Sequence, residues 1–230
     1  MRPPPRVDYD TWVFDLDNTL YPAECDLFAQ IDARMTSYVS ALLQVDPVEA
    51  RRVQKAYYAA YGTTLAGLMA EYQVDPHEFL HHVHDIDVSL VDPDPELEGL
   101  VQALPGKKLV FTNGSRAHAD RVVRQLGLEG LFDDHFDIVA TGFAPKPKRE
   151  AFDRLIERHA FSPSRAMMFE DLARNLEPAA AMGFTTVLVR SGKDWSHEPE
   201  GARPAGLGEA PAHVHHVTDC LKAFLRSLPV

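Results

Sequence analysis

Between residues 107 and 190, short apolar segments alternate with segments whose apolar residues recur at helical spacing. The apolar segments KKLVFTNG, FDIVATG, RAMMFED and TTVLVRSG are rich in the branched and aromatic residues typical of strands. The segments between them, SRAHADRVVRQLG, KREAFDRLIERHA and EPAAAMG, have the pattern of helices. This alternation predicts an α/β protein with a parallel sheet, right-handed crossovers and helices on both faces. DTWVF, near the start of the chain, is predicted to be a further buried strand.

The segment that follows this first strand has a different character. Its apolar residues recur at helical spacing, and it contains no convincing strand. Asp46-Pro47 and Asp75-Pro76 each combine a capping residue with a proline at the first helical position, which is typical of a helix start. We predict four successive helices here, inserted into the α/β core. The predicted division is a helical insertion at residues 22–95 and a core formed by residues 1–21 and 96–230.

The charge balance limits the classes of partner. The 230 residues include 34 acidic and 23 basic side chains, for a formal net charge of −11. A surface for nucleic-acid polymers or anionic membranes is therefore not expected, although a local cation can still make a cleft attractive to a small anion. Cys25 and Cys220 lie far apart and indicate no disulfide framework, and no apolar run resembles a signal peptide or a membrane span. We expect a cytoplasmic protein.

Four predicted strands end in polar residues that can carry chemistry. In an open parallel sheet the carboxyl ends of the strands share one crevice, in which ligands bind. The residues at these ends are Asp15 with Asp17, Thr112 with Asn113 and Gly114, Lys146 beyond the third strand, and Glu170 with Asp171. Acids, a hydroxyl group and a lysine at one edge predict a metal site and an anion site in the same crevice.

Asp15 and Asp17 lie two positions apart, so their side chains point the same way if the strand geometry continues. Two carboxylates this close repel each other unless a cation lies nearby. A hard divalent ion such as Mg²⁺ prefers oxygen ligands and typically takes one or two carboxylates. We expect Asp15 and Asp171 to be direct ligands of Mg²⁺. Taken alone, the Asp-Leu-Asp pattern is equally compatible with a solvated turn.

The segments DLDNTLYP, TNGS, KPKREAF and FEDLARNL occur in this order along the chain. Together they resemble the four sequence motifs of the haloacid dehalogenase superfamily. The resemblance implies a Rossmann-like core, and the predicted insertion is similar to the all-helical cap that relatives carry after the first motif. Within the insertion, YGTTLAGLM and HHVHDID resemble the pyrimidine 5′-nucleotidase subgroup.

The resemblance also implies a reaction. Asp15 is expected to attack phosphorus and form an aspartyl-phosphate. Asp17 is expected to protonate the leaving alcohol and then to deprotonate the water that attacks the intermediate. In the family the main-chain carbonyl group at this position also binds the metal, so Asp17 is counted with Asp15 and Asp171 as a metal-binding residue. A carboxylate at position 17 argues against dehalogenation, because halide leaves without a proton.

The remaining motif residues are assigned to the phosphate. Thr112 and the main-chain N–H groups of Asn113 and Gly114 are expected to hold phosphoryl oxygens. Lys146 is expected to offset the charge of the nucleophile and the phosphate, so it counts as both a catalytic and a substrate-binding residue. Lys148, at the start of the following helix, is predicted to face solvent.

The roles of two polar residues near Asp171 in binding the metal are not decided by the sequence. Asn175 stands where many relatives carry a second acid, and we predict that it supports the site without touching the metal. For Glu170 either a direct or a supporting role remains open.

Three histidines of the insertion, His81, His82 and His84, lie close together. His81 and His84 share a helix face, but no cysteine or third well-spaced ligand accompanies them, so a zinc site is not expected. We predict surface or packing roles, and the resemblance suggests pocket lining as the alternative.

Other aromatic and basic residues have two readings each. The insertion contains four tyrosines, Tyr57, Tyr58, Tyr61 and Tyr72. Their helical spacing favours core or interface positions over stacking on a base. Arg116 and Arg149 are equally compatible with phosphate or base binding and with surface salt bridges. Residues 191–212 are rich in Gly, Pro and Ala and are predicted to be a surface loop, before a short amphipathic helix that ends the chain.

The predicted function is that of a magnesium-dependent phosphomonoesterase for small phosphorylated substrates, in the first place pyrimidine nucleoside 5′-monophosphates such as UMP and CMP. Phosphoglycolate or a sugar phosphate is a second substrate class. A binding protein of the same fold without turnover is a third alternative, against which the intact set of acids, hydroxyl group and lysine argues. The sequence does not determine the oligomeric state.

Overall fold

The computed structural model describes residues 8–195, 198, 203–204 and 211–229. In these residues six strands form one sheet, in which all paired strands run parallel. The strands are β1 (Thr11–Phe14), β2 (Lys107–Phe111), β3 (Asp134–Phe136), β4 (Ala166–Glu170), β5 (Thr185–Val189) and β6 (His216–Thr218). Their order across the sheet is β3-β2-β1-β4-β5-β6, so β1 lies between β2 and β4.

The helices fall into two groups along the chain. The first group, between β1 and β2, contains α1 (Leu27–Leu43), α2 (Pro47–Tyr61), α3 (Thr64–Tyr72), α4 (Pro76–His84) and α5 (Pro95–Ala103). The second group contains α6 (Arg116–Gln125), α7 (Arg149–His159), α8 (Ala173–Met182) and α9 (Leu221–Arg226). Helices α5, α6 and α9 cover one face of the sheet, and α7 and α8 cover the other.

Successive residues of the central strand point to opposite faces of the sheet. Trp12 and Phe14 pack against the α5, α6 and α9 side, whereas Val13 packs against the α7 and α8 side. The ring of Phe14 stacks on Phe169 of β4, with the ring centroids 4.6 Å apart. All residues of β1 and β4 are buried, as expected for parallel strands with both faces covered. The predicted α/β class, with a Rossmann-like parallel sheet, is confirmed.

Helices α1 to α4 pack on one another around an apolar core of their own. Its buried side chains include Ile31, Val39, Leu68, Phe79 and Val83. Helices α2 and α4 begin where the sequence predicts, because Asp46 and Asp75 accept hydrogen bonds from main-chain N–H groups of the first turn and a proline follows each. The helices lie within the predicted insertion, whose limits at residues 22 and 95 stay a prediction.

The predicted strand FDIVATG is wrong over most of its length. Strand β3 ends at Phe136, and residues 137–142 form turns and irregular structure. Asp137 accounts for the difference, because its carboxylate accepts hydrogen bonds from the main-chain N–H groups of Arg116 and Ala140. These bonds give the backbone an alternative to the strand ladder.

Two short elements, α5 and β6, are not predicted by the sequence pattern. Strand β6 has three residues, too few for an alternation of polar and apolar residues to be recognised. The predicted surface loop at residues 191–212 lies partly outside the described residues. Among the residues that are described, no helix has both the length and the apolar character needed to cross a bilayer.

Candidate active site

The carboxyl ends of β1, β2 and β4 lie side by side because these strands are adjacent and parallel. A cavity of about 230 Å³ opens at this edge and is also lined by residues of α1 to α4. The predicted site residues that line it are Asp15, Asp17, Thr112, Asn113, Gly114, Lys146 and Asp171. The structure thus brings all of them together, whereas their catalytic roles stay predictions.

Lys146 reaches the nucleophile candidate from the loop that precedes α7. Its Nζ atom donates to Oδ1 of Asp15 at 2.6 Å and to the carbonyl oxygen of Phe111 at 2.7 Å, and it lies 3.2 Å from Glu170. Burial opposes a charge on this side chain, but the two acids raise the pKa of Lys146 above its ordinary value, so it remains a cation. Lys148, in contrast, is exposed as predicted.

Three buried carboxylates crowd beside this lysine. Asp15, Glu170 and Asp171 each offer an oxygen, and these atoms all lie within 4.8 Å of one another. Burial and then Glu170 raise the pKa of Asp15 from 3.8 to about 7, although Lys146 acts in the opposite direction. Burial, Glu170 and Asp15 likewise raise the pKa of Asp171 well above its ordinary value. One lysine does not compensate three acids, so the cluster favours either a proton or a further cation.

The donor set fits a hard divalent cation, because the crowded atoms are carboxylate oxygens. Glu170 already accepts hydrogen bonds from the Leu172 N–H group and the Asn175 side-chain amide, which leaves Asp15 and Asp171 as the better direct ligands. Oδ1 of Asn175 is buried and has no hydrogen-bond partner among the described residues. An unused acceptor beside the acids suits a water molecule carried by such a cation. The side chain of Asp17 is not part of the cluster, so its predicted metal contact through the main-chain carbonyl stays a prediction.

The carboxylate of Asp17 is held by two donors. The hydroxyl group of Tyr21 donates to Oδ1 at 2.6 Å, and Nε2 of His118 lies 2.8 Å from the same oxygen. Burial would raise the pKa of Asp17, but His118 and Tyr21 together lower it below its ordinary value. Asp17 therefore has a defined orientation in the cavity.

Neither donor was predicted from the sequence, although each has a recognisable sequence pattern. Tyr21 is the tyrosine of the DLDNTLYP motif, four positions after Asp17. His118 lies on the buried face of α6, where its neighbours Ala119 and Val122 are apolar. A single polar residue on an otherwise apolar helix face indicates a partner on another element.

The Thr112–Gly114 loop forms a compact turn beside the acids. The side-chain amide of Asn113 accepts from the Lys146 N–H group at 2.8 Å and donates to the Lys146 carbonyl group at 3.1 Å, which ties two loops of the site together. The N–H group of Gly114, predicted to contact phosphate, instead donates to Oγ1 of Thr112 at 2.9 Å. A side chain at position 114 would press against Oγ1 of Thr112, at 3.2 Å, and against His84, at 3.4 Å.

One of the three clustered histidines belongs to the cavity wall. His84 is buried, its Nδ1 atom lies 2.9 Å from Oγ of Ser115, and its ring stacks on His118 at 4.5 Å. Burial and then His118 lower the pKa of His84 to about 3, so it is neutral at ordinary pH. The predicted packing role therefore holds for His84, which also lines the cavity, whereas a surface role is wrong for it. His81 is exposed and His82 packs against Tyr38, as expected for surface and packing residues.

The four tyrosines and the two arginines whose roles were open also differ in whether they line the cavity. Tyr58 lines the cavity, and the guanidinium group of Arg174 lies 4.3 Å from its ring centroid. Tyr57 and Tyr61 pack edge to face in the insertion, and Tyr72 is exposed. Of the two arginines with an open role, Arg116 pairs with Asp134 at 2.6 Å and Arg149 with Asp153 at 3.6 Å, and both pairs lie away from the cavity.

The part of the cavity wall on α1 and α2 contains charged side chains that were not predicted. Arg51 and Lys55 of α2 both pair with Asp32 of α1, and both also reach Glu198, at 2.8 Å each. Gln54 is buried between them and donates to Asp32 at 2.7 Å. The cavity therefore has an acidic part at the sheet edge and, among mostly apolar side chains of the helices, a charged and paired group on α1 and α2.

Comparison with known proteins gives consistent matches. A protein-family model described as "Hydrolase: haloacid dehalogenase-like hydrolase" matches residues 9–183. The chain is 30% identical over 216 residues to Phosphate metabolism protein 8 of Saccharomyces cerevisiae, which corresponds to 86% of this chain and 66% of the yeast protein. It is 26% identical over 123 residues to Phosphoglycolate phosphatase of Synechococcus elongatus, or 52% of this chain and 56% of that protein. The chain thus spans less than two thirds of the length of each of these relatives.

The architecture is also similar to that of solved structures. One is CbbY from Rhodobacter sphaeroides in complex with phosphate, with a TM-score of 0.62 and 17% sequence identity. The match covers 96% of this chain and 100% of that chain. At this level of identity the similarity concerns the fold, and it supports the arrangement of sheet and helices described above.

Proposed function

The chain belongs to the haloacid dehalogenase-like hydrolase family, and from this premise we propose that it is a magnesium-dependent phosphomonoesterase. The observation that carries the proposal is that one cavity contains Asp15, paired with Lys146, together with a second, firmly held carboxylate on Asp17. An alcohol leaves a phosphate ester readily only when it receives a proton, and Asp17 can supply one. Halide displacement has no use for this second acid.

In the first proposed step, a carboxylate oxygen of Asp15 forms a bond to phosphorus while the bond from phosphorus to the leaving oxygen breaks. Lys146 keeps the charge of the nucleophile compensated through its contact with Oδ1. The proton on Asp17 passes to the leaving oxygen, which departs as an alcohol. The product of this step is an aspartyl-phosphate on Asp15.

In the second proposed step, Asp17 is a carboxylate and takes a proton from a water molecule. The oxygen of that water forms a bond to phosphorus, and the bond between phosphorus and Asp15 breaks. Inorganic phosphate leaves, and both aspartates return to their starting states. The hydroxyl group of Thr112 and the N–H group of Asn113 are proposed to hold the phosphoryl oxygens in both steps.

The metal is proposed to be held by Asp15, Asp171 and the main-chain carbonyl group of Asp17. When bound, Mg²⁺ supplies positive charge that reduces the repulsion between the phosphate and the attacking carboxylate. Glu170 and Asn175 hold their neighbours in place through the hydrogen bonds described above.

Helices α1 to α4 are proposed to act as a cap that contacts the leaving group. We propose pyrimidine nucleoside 5′-monophosphates as substrates, on the resemblance of two insertion segments to nucleotidases and on the aromatic and charged groups of Tyr58, Arg51 and Lys55 in the cavity wall. A second candidate is a small phosphorylated acid such as phosphoglycolate. The similarity to a phosphoglycolate phosphatase favours it. Arg51 and Lys55 already pair with the carboxylates of Asp32 and Glu198, and a substrate carboxylate would take the place of one of these partners.

The test is phosphate release from UMP, CMP, AMP, phosphoglycolate and ribose 5-phosphate, with MgCl₂ or with EDTA. We expect the highest kcat/KM with UMP or CMP and loss of activity in EDTA. Highest activity on phosphoglycolate or ribose 5-phosphate would reject the nucleotidase proposal. No release from any ester by folded protein would reject the phosphatase proposal as a whole.

Two aspartate variants test the nucleophile. Asp15→Asn removes the attacking oxygen and is expected to abolish turnover while the fold persists. Asp153→Asn is the matched control, because Asp153 lies on the outer surface of α7, and it is expected to retain wild-type activity. Retained turnover in Asp15→Asn would show that another group attacks phosphorus.

A further inference from the structure

We propose that His118 and Tyr21 are positioning residues for Asp17, and that they determine which oxygen of its carboxyl group transfers the proton. This inference rests on the phosphatase function proposed above and deepens it. Neither residue needs to touch the substrate, because both act through the carboxyl group that does.

Both donors converge on the same atom. The Tyr21 hydroxyl group lies 2.6 Å and Nε2 of His118 lies 2.8 Å from Oδ1 of Asp17. A carboxyl oxygen has two lone pairs, so two donors occupy the accepting capacity of Oδ1. The proton that Asp17 gives to the leaving alcohol therefore resides on Oδ2, and the same oxygen receives the proton of the attacking water.

The donors themselves are firmly placed. The side chain of His118 is fully buried, and Tyr21 is 1% exposed within the apolar core beside the sheet. His118 lies in the first turn of α6, where its N–H group donates to the capping Oγ of Ser115. Rotation of Asp17 would break two hydrogen bonds to groups that cannot follow it, so the carboxyl group is confined to one orientation.

The surroundings of the His118 ring show that Asp17 is its polar partner. Nδ1 of His118 is buried and has no hydrogen-bond partner among the described residues. One face of the ring is used for packing, since it stacks on His84 with an interplanar angle of 9°. A buried ring nitrogen without a partner destabilises a fold, and an apolar residue at position 118 would avoid that cost. The bond from Nε2 to Asp17 is the interaction that an apolar residue could not replace.

Two substitutions of His118 separate positioning from packing. In His118→Gln the side-chain amide can reach the place of Nε2 and still donate to Asp17, whereas in His118→Asn it reaches only the place of Nδ1. Both variants lose the ring and its stacking on His84. Tyr21→Phe removes only the hydroxyl group and keeps the ring in the core.

Each variant is assayed with two esters. One is an alkyl phosphate, namely the nucleoside 5′-monophosphate or sugar phosphate of the panel with the highest kcat/KM. The other is 4-nitrophenyl phosphate. Nitrophenolate leaves without a proton, and kcat/KM reports the enzyme only up to the first irreversible step. For His118→Asn we expect kcat/KM to fall on the order of 10²-fold with the alkyl ester and much less with the nitrophenyl ester. His118→Gln is expected to recover most of this loss, and Tyr21→Phe to show the same preference at smaller amplitude.

If kcat/KM falls equally with both esters in His118→Asn and in His118→Gln, the proposal is overturned, because such losses indicate a packing role. Unchanged kinetics in His118→Asn would also overturn it. A separate measurement decides the matter even if the wild-type protein hydrolyses neither ester. In ¹⁵N-detected NMR of the histidine rings, we expect Nε2 of His118 to carry a proton. We expect its ¹⁵N chemical shift to change in Asp17→Asn but not in Asp153→Asn. An unprotonated Nε2, or one that does not respond to Asp17→Asn, would reject the positioning contact itself.

Discussion

The ammonium group of Lys146 lies 2.6 Å from Oδ1 of Asp15, a residue 131 positions away along the chain. The lysine side chain is 1% exposed and the aspartate side chain 10% exposed. An exposed ion pair at this distance contributes little to stability, because water screens the charges. In a buried pair, removal of one charge destabilises the protein strongly. Removal of Lys146 leaves the Asp15 carboxylate without its cation in the interior, whereas removal of Asp15 leaves Lys146 paired with Glu170 alone. The pair therefore links the chemistry of the site to its stability.

Lys146→Met should lower kcat/KM on the order of 10²-fold or more, because the nucleophile and the phosphate lose a preorganised cation. Lys148→Met is the matched control, since this exposed lysine lies two positions further along the same loop. Its kcat/KM is expected to equal that of the wild type in steady-state assays. Similar losses in both variants would mean that net charge near the cavity, rather than the contact with Asp15, determines the rate.

The contribution of Asp15 to the stability of the metal-free protein should decrease as pH rises towards 7. Burial and Glu170 raise the pKa of Asp15 from 3.8 to about 7. Between these values the folded protein keeps a proton that the unfolded chain has released, so this contribution to the free energy of unfolding is present at low pH and is lost as pH rises. The Tm of Asp15→Asn and that of the wild type are measured in EDTA. We expect the Tm of the variant minus the Tm of the wild type to increase from pH 5 to pH 7.5.

MgCl₂ should stabilise the wild-type protein more at pH 7.5 than at pH 5, because protons compete with the cation for the same oxygens. Asp171→Asn removes one proposed ligand and should show little or no rise in Tm with MgCl₂. Asp153→Asn should respond like the wild type. A rise in Tm with MgCl₂ that is equal in all three proteins would place the metal at another site.

His84 should make the protein sensitive to acid. Burial and His118 lower the pKa of His84 to about 3, whereas an ordinary histidine titrates near 6.5. As pH falls below 6.5 the unfolded chain takes up a proton that the folded protein refuses, so stability contributed by neutral His84 is lost. In urea unfolding at pH 7, 5 and 4, the stability of His84→Gln should fall less steeply with acid than that of the wild type. His81→Gln, at an exposed position of the same helix, should follow the wild-type curve.

Arg174 should hold helices α2 and α3 against the sheet end of α8. Its guanidinium group covers the ring of Tyr58 at 4.3 Å and donates to the carbonyl oxygen of Gly62 at 3.2 Å. We expect Arg174→Met to lower the local opening free energy of α2 and α3 by roughly 1–2 kcal/mol. Hydrogen exchange should then be faster in these helices and unchanged in β1 and β4. Arg149→Met, on the exposed side of α7, should alter neither, and uniform acceleration across the sheet would contradict the expected local effect.

The order of the elements and the polar residues at the ends of the strands follow from local patterns in the sequence. Alternation in the core and helical spacing in the insertion predict most strands and helices, because both patterns depend on neighbours within a few positions. The strand prediction is wrong for most of FDIVATG, because the side chain of Asp137 accepts a hydrogen bond from the main-chain N–H group of Arg116 at the start of α6. The spacing of Asp15 and Asp17, and the lysine before Pro147, pointed correctly to the cavity because parallel strands deliver their ends to one edge.

Which side chains meet depends on how the elements pack and cannot be derived from local patterns. His118 and Asp17 are 101 positions apart, and the contact depends on how α6 packs on this face of the sheet. The burial of His84, the link between Asn113 and Lys146, and the charged wall on α1 and α2 have the same origin. Local periodicity specifies the face of an element that is buried, but not the residue that it meets on another element. Packing sets that partner, and in this protein it selects the groups that hold Asp17 in place.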